Sequence, residues 1–135
     1  MSRARILLAD GHKEMRDTIA HLLEAEFEIV ASVANGEELL AAELETKPDL
    51  CVCDISMPHL SGIHAAQRLK ARHSQARVIF LTTHDDGDLL QAALETDALG
   101  YVLKSRMVTD LDQAIRSALR GEIFISPSHN LGTSS

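Results

Sequence analysis

Positive charge is in short supply in this chain: 13 Lys and Arg stand against 20 Asp and Glu in 135 residues, a formal net charge of −7. That balance repels phosphate backbones and anionic lipid surfaces, so direct nucleic-acid binding by this segment is not expected. Long hydrophobic runs are missing as well. No window approaches the ~20 apolar residues of a membrane helix, and the opening MSRARILLAD turns acidic before a signal-peptide core can form. A cytoplasmic protein without a membrane partner is the expectation. Cysteine is scarce, and Cys51 and Cys53 lie two apart in an apolar run, on one face of a strand, a poor geometry for a disulfide. They are expected to be reduced core residues. No G-x-G-x-x-G or G-x-x-x-x-G-K-[ST] follows the first apolar run, which argues against a nucleotide-binding fold. No two of the seven histidines have the H-x-H or H-x-x-x-H spacing that aims two rings at one ion. Internal repeats and low-complexity stretches are absent.

What is present is alternation. The chain is 45% hydrophobic, enough for one domain with a single core. Apolar β-type runs at 5–9, 28–33, 50–53, 78–81 and 100–103 are separated and followed by stretches of helical spacing at 14–25, 36–46, 63–73, 88–96 and 109–120. Strands joined through helices must pair in parallel, by right-handed crossovers. An α/β fold follows, a doubly wound five-stranded parallel sheet with helices on both faces; runs such as CVCD and VIFL suit strands covered on both sides. Gly121 is a good helix C-cap. Residues 1–121 are therefore read as one domain and 122–135 as a C-terminal tail, with an apolar EIFISP and a loose polar end.

In an open parallel sheet, ligands bind beyond the carboxyl ends of the strands. Asp10 closes the first strand, Asp54 the third, Thr82 and Thr83 the fourth and Lys104 the fifth. Singly, each has a structural explanation as a cap, a strand residue or a solvated side chain. Together they bring two carboxylates, hydroxyls and an ammonium to one edge. Lys104 and Thr82 would hold an oxyanion-rich ligand, and Asp10 and Asp54 a divalent cation through hard oxygens. A carboxylate can also act as the nucleophile in phosphoryl transfer.

From Arg3 to about Gly121, the chain resembles the receiver domains of two-component response regulators. The stretch CDISMPHLSG carries the resemblance most specifically: Asp54, Met57, Pro58 and Gly62 match a D-x-x-M-P-x-x-x-G loop, joined by VIFLTTHDD and by GYVLK ending in Lys104. The pieces LLADGH, LTTHDD, GYVLKS and RGEIFISP are similar to receivers attached to LuxR-type transcription regulators. The resemblance implies a flavodoxin-like receiver fold that acts as a switch and not as an enzyme. It makes Asp54 the phosphoacceptor for a sensor histidine kinase, Thr82 the switch hydroxyl, Tyr101 the switch aromatic and Lys104 the phosphoryl-binding cation. Mg²⁺ would be held by Asp10, Asp54 and the Ser56 backbone carbonyl, while Ser56, Thr83 and His84 would set access to the phosphoryl group. It also implies a possible homodimer, and a tail that starts a linker to a DNA-binding output domain.

Two positions depart from the family's pattern. Gly11 stands where receivers usually carry the second of two acids, so the Mg²⁺ site is expected to be weakened. Ser105 follows Lys104 where many receivers have a cis proline; a non-proline cis bond costs ~3 kcal/mol, so a trans bond is expected. His12, near the acids, is read as a solvated loop residue, and Asp85, Asp86 and Asp88 as caps of the following helix. Two other readings stay open. A phosphorylation-independent interaction or dimerisation module is favoured by Gly11. An Asp-nucleophile phosphohydrolase of the haloacid-dehalogenase kind would want an Asp at the position of Ser56.

Overall fold

A computed structural model describes residues 3–127. Its strands are β1 (Arg5–Ala9), β2 (Glu28–Val33), β3 (Leu50–Asp54), β4 (Arg77–Thr82), β5 (Gly100–Leu103) and β6 (Phe124–Ile125). Between and after them come α1 (Lys13–Leu23), α2 (Gly36–Thr46), α3 (Gly62–Ala71), α4 (Gly87–Leu94) and α5 (Met107–Leu119). All the strands pair in parallel, in the order β2-β1-β3-β4-β5-β6.

Strand periodicity sorts the core into two layers. Ile6, Leu8, Leu50, Val52, Ile79, Leu81 and Val102 face α1 and α5, meeting Ile19, Leu23, Leu111 and Ile115. The alternate residues Leu7, Cys51, Cys53, Phe80 and Tyr101 face Leu39, Ala65, Leu69 and Ala93 on α2, α3 and α4. Both cysteines are free and buried, and burial pushes the Cys51 thiol up to about 12, so neither is a reactive thiolate at neutral pH. No helix among the described residues is long and apolar enough to cross a membrane.

The sheet has six strands, one more than the periodicity suggests. α5 ends in a Schellman turn: Gly121 takes φ +78, its N–H bonds to Ala118 O, and the Glu122 N–H bonds to Ser117 O. The chain thereby reverses and runs along the outer edge of β5. The middle of the EIFISP tail is thus a strand, too short to register as a β-run; the polar end, 128–135, lies outside the described residues. Helix ends also shift. α1 stops at Leu23, because Glu26 N and Phe27 N both turn back to Leu23 O and carry Phe27 into the core. α4 starts one residue early, at Gly87, where the Asp86 side chain caps it, and ends at Leu94 before Asp97 turns left-handed at φ +67.

Candidate functional site

The sheet order reverses at β1, whose two neighbours are β2 and β3, and the crevice at that point is where such sheets bind ligands. Asp10 immediately follows β1 and Asp54 is the last residue of β3. Thr82 ends β4, and Lys104 opens a short 3-10 turn (Lys104–Arg106) directly after β5. Parallel pairing in register brings these four positions together although they are scattered over 95 residues of sequence.

The Lys104 ammonium lies between the two carboxylates, with Nζ 2.8 Å from Asp10 Oδ2 and 3.3 Å from Asp54 Oδ2. Asp10 is 1% exposed and Asp54 6%. Burial would depress Lys104, but the hydrogen bond to Asp10 and the charges of both acids outweigh it and raise its pKa. Burial raises Asp54; Lys104 opposes that rise and Asp10 adds to it. The other oxygens are also engaged: Asp10 Oδ1 accepts from His12 N at 2.8 Å, and Asp54 Oδ1 accepts from Ser56 N at 3.2 Å. Both acids are thus pinned in place around one cation.

At the end of β4 a second set of hydrogen bonds links Thr82 to Tyr101 through the backbone of His84. Thr82 Oγ1 accepts from His84 N at 3.0 Å, leaving its own O–H to donate, and Tyr101 OH donates to His84 O at 2.9 Å. Tyr101, expected as the switch aromatic, is 3% exposed and turned inward. Burial, and then Asp86 and Asp85, push its hydroxyl up to about 12. Thr83, His84 and Ser56 are exposed. The His12 ring is solvated, 3.4 Å from Asp10 Oδ1. No peptide bond among the described residues is cis, so Lys104–Ser105 is trans.

The glycines explain the loop beside the acids. A Cβ on Gly62 would lie 2.1 Å from the Asp54 carbonyl oxygen, so the loop after Asp54 can close onto α3 only at glycine. At Gly11 a Cβ would meet Pro58 Cδ at 3.1 Å, tight but open to a small adjustment. Arg16, which the sequence did not single out, donates from Nη1 to the Asp10 carbonyl at 2.7 Å. No motif marks it; it lies one helical turn beyond His12 on α1.

A divalent cation finds hard oxygens here but few of them. Asp10 and Asp54 are the two carboxylates of the site, and among the described residues no cluster of three His, Cys, Asp or Glu is arranged around a common point. Mg²⁺ is commonly held by one or two carboxylates with waters and phosphate oxygens, so the donor set fits that ion in a thinly protein-bound form.

Comparison with known proteins agrees with this geometry. Residues 6–116 match the family model of the response regulator receiver domain. The chain is 32% identical over 134 residues to the transcriptional regulatory protein DegU of Brevibacillus brevis, covering 96% of this chain and 57% of that protein. It is 34% identical over 128 residues to the nitrate/nitrite response regulator protein homolog of Haemophilus influenzae, covering 93% and 62%. It therefore spans less than two thirds of these relatives. Among solved structures, a LuxR-family two-component response regulator from Aurantimonas sp. SI85-9A1 superposes with a TM-score of 0.88 at 34% identity, over 93% of this chain and 91% of that one. The isolated receiver domain of RcsB from Salmonella enterica serovar Typhimurium, solved with the phosphomimetic BeF3-, gives 0.84 at 25% identity, over 92% and 94%.

Proposed function

The chain belongs to the response regulator receiver family, and from that premise we propose that Asp54 accepts a phosphoryl group from the histidine of a sensor kinase. Receivers of this family are signalling domains and not classical enzymes, and this one is of the LuxR type. The observation that carries the proposal is the placement of Asp54 beside Asp10 and the Lys104 ammonium, with Thr82 and Tyr101 joined through His84. In the transfer, Asp54 Oδ forms a P–O bond as the P–N bond to the kinase imidazole breaks, and the imidazole nitrogen keeps the electron pair. Little covalent work falls to the protein; position and positive charge do most of it, because negative charge spreads over the equatorial oxygens.

Lys104 supplies part of that charge by moving from the carboxylates to a phosphoryl oxygen. Asp10, Asp54 and the Ser56 carbonyl would hold Mg²⁺, which supplies further charge neutralisation when bound. Thr82 donates its hydroxyl to the phosphoryl group, and its bond to His84 N transmits the change to the Tyr101 hydroxyl. Residues 1–121 form the switch; 122–135 begin the connection to a LuxR-type DNA-binding domain outside this chain, in a cytoplasmic protein.

A second reading, a domain that works by contacts without phosphorylation, is favoured by Gly11 and by an ammonium that already pairs with both acids. One experiment decides between them. Incubation with acetyl phosphate and Mg²⁺ is expected to add one phosphoryl group by mass, and Asp54→Asn to abolish it. Labelling that persists in Asp54→Asn places the acceptor elsewhere, and no labelling of the unsubstituted chain favours the contact module.

A further inference from the structure

The C-terminal strand is fastened to the switch from two directions. Along the backbone, Phe124 N donates to Leu99 O at 3.0 Å and Ser126 N to Tyr101 O at 2.9 Å. The Ser126 hydroxyl then accepts from Leu103 N at 3.1 Å and donates to Asp110 Oδ2 at 2.7 Å. Asp110 is 5% exposed, and its carboxylate also accepts from Arg106 Nε at 2.8 Å and Thr109 Oγ1 at 3.1 Å. A buried carboxylate on α5 therefore clamps the tail to the corner that presents Lys104, since Leu103 immediately precedes it. Pro127 favours the extended backbone that Ser126 needs.

The second connection is steric. Tyr101 and Ile125 are register partners, so their side chains stand on one face of the sheet. Together with Gly87, Leu90 and Leu103 they line a small slot between the start of α4 and β6. With Tyr101 inward on the His84 carbonyl, Ile125 can lie beside it. A ring released from that carbonyl would swing toward the sheet edge, into the slot and against Ile125. Inward Tyr101 and docked β6 are thus compatible, and outward Tyr101 and docked β6 compete for one space.

We propose that β6 is the readout strand of this switch, its docking on β5 strengthened by a phosphoryl group on Asp54 through Thr82, His84 and Tyr101 and through Lys104, Leu103 and Ser126. The proposal rests on the reading of Asp54 as phosphoacceptor. Docking tethers whatever follows Ser126 against the α4–β5–α5 face, and undocking frees it. Two sites joined through one two-state element must influence each other reciprocally.

The test uses beryllofluoride with Mg²⁺ as a stable phosphoryl mimic on the chain as it stands, with binding followed by ¹⁹F NMR and amide exchange by ¹⁵N spectra. On binding, exchange at Phe124 and Ser126 is expected to slow about tenfold, within the usual range of allosteric coupling, while β2 amides change little. Thr82→Ala should bind the mimic more weakly and, at saturating mimic, show less of that slowing. Ser126→Ala should quicken exchange at Phe124 and, by reciprocity, weaken the mimic's affinity, with unchanged β2 exchange showing that the fold is intact. If the mimic binds while Phe124 and Ser126 exchange as before, the readout role is wrong and the phosphoacceptor reading stands. If the mimic does not bind, the phosphoacceptor reading falls and this proposal with it.

Discussion

At Asp54 burial and charge work against each other. Burial raises its pKa, the Lys104 ammonium offsets part of the rise, and Asp10 adds repulsion. A carboxyl whose pKa is raised by folding binds its proton more tightly in the folded chain, so its ionised form costs stability. That cost is absent below the ordinary carboxylate range and grows as pH climbs through the raised value. Asp54→Asn is therefore expected to raise the melting temperature at about pH 7, with the gain fading toward about pH 4, where carboxylates are half protonated. Thermal melts at the two pH values check it; an equal or lower melting temperature at the higher pH contradicts it. Asp110 is the opposite case: burial pushes it up, but hydrogen bonds from Arg106, Ser126 and Thr109 prevail and hold it low. The stability it contributes is present at neutral pH and is lost as pH falls through its lowered value. At Gly11, an aspartate would add an oxygen ligand and restore like-charge crowding in the empty pocket, both of which favour Mg²⁺. Gly11→Asp is expected to lower the Mg²⁺ concentration for half-maximal Asp54 labelling severalfold. Because its Cβ would press on Pro58, it should also cost about 1 kcal/mol of stability, as mild overpacking does. An unchanged or higher Mg²⁺ requirement refutes the role given to Gly11. Tyr101 can be read directly, since the chain has one tyrosine and no tryptophan. Its phenol is expected to ionise at about 12 in an ultraviolet titration; a midpoint near about 10, the ordinary value, would put the hydroxyl in water.

Among the α-helices, α4 buries the fewest residues. Ala93 is its buried residue, while Leu89, Leu90 and Leu94 are half-covered; α5, by contrast, buries Leu111, Ala114, Ile115 and Ala118. Its start depends on Asp86, whose carboxylate accepts from Asp88 N at 2.8 Å and Leu89 N at 3.4 Å. Asp86→Ala is expected to weaken α4 locally by about 1 kcal/mol, the usual value of an N-cap. Hydrogen exchange should show this as faster opening of α4 with α5 unaffected; equal acceleration in both helices would mean that the cap acts globally. The capping role of Asp86 was legible from sequence, because an acid before an apolar periodic run has a local physical meaning. So were β1 and β2, whose ends coincide with their apolar runs, and the strand-end positions of Asp10, Asp54, Thr82 and Lys104. The burial of Tyr101 was not legible, since it depends on a hydrogen bond to a carbonyl 17 residues away. Nor was β6: Phe124–Ile125 is two residues long, and its placement is set by the Gly121 turn and the Ser126–Asp110 bond, both tertiary in origin.

On the scale of the whole molecule, the two layers of helices and the parallel sheet follow from a strand periodicity readable in the sequence, and the ligand edge follows from strand order. What periodicity does not specify is how a sheet ends. At one margin β5 would present Leu99 O, Tyr101 O and the Leu103 N–H to solvent, were these groups not taken up by Phe124 N, Ser126 N and Ser126 Oγ. Unpaired strand edges recruit other chains. The tail is therefore also a guard against self-association: cutting the chain after Gly121 is expected to leave the fold assembled but with a bare β5 margin. Such a truncated protein should show a larger mean mass by light scattering at rising concentration than the full chain. If both stay equally monodisperse, β5 does not need its cover to remain soluble.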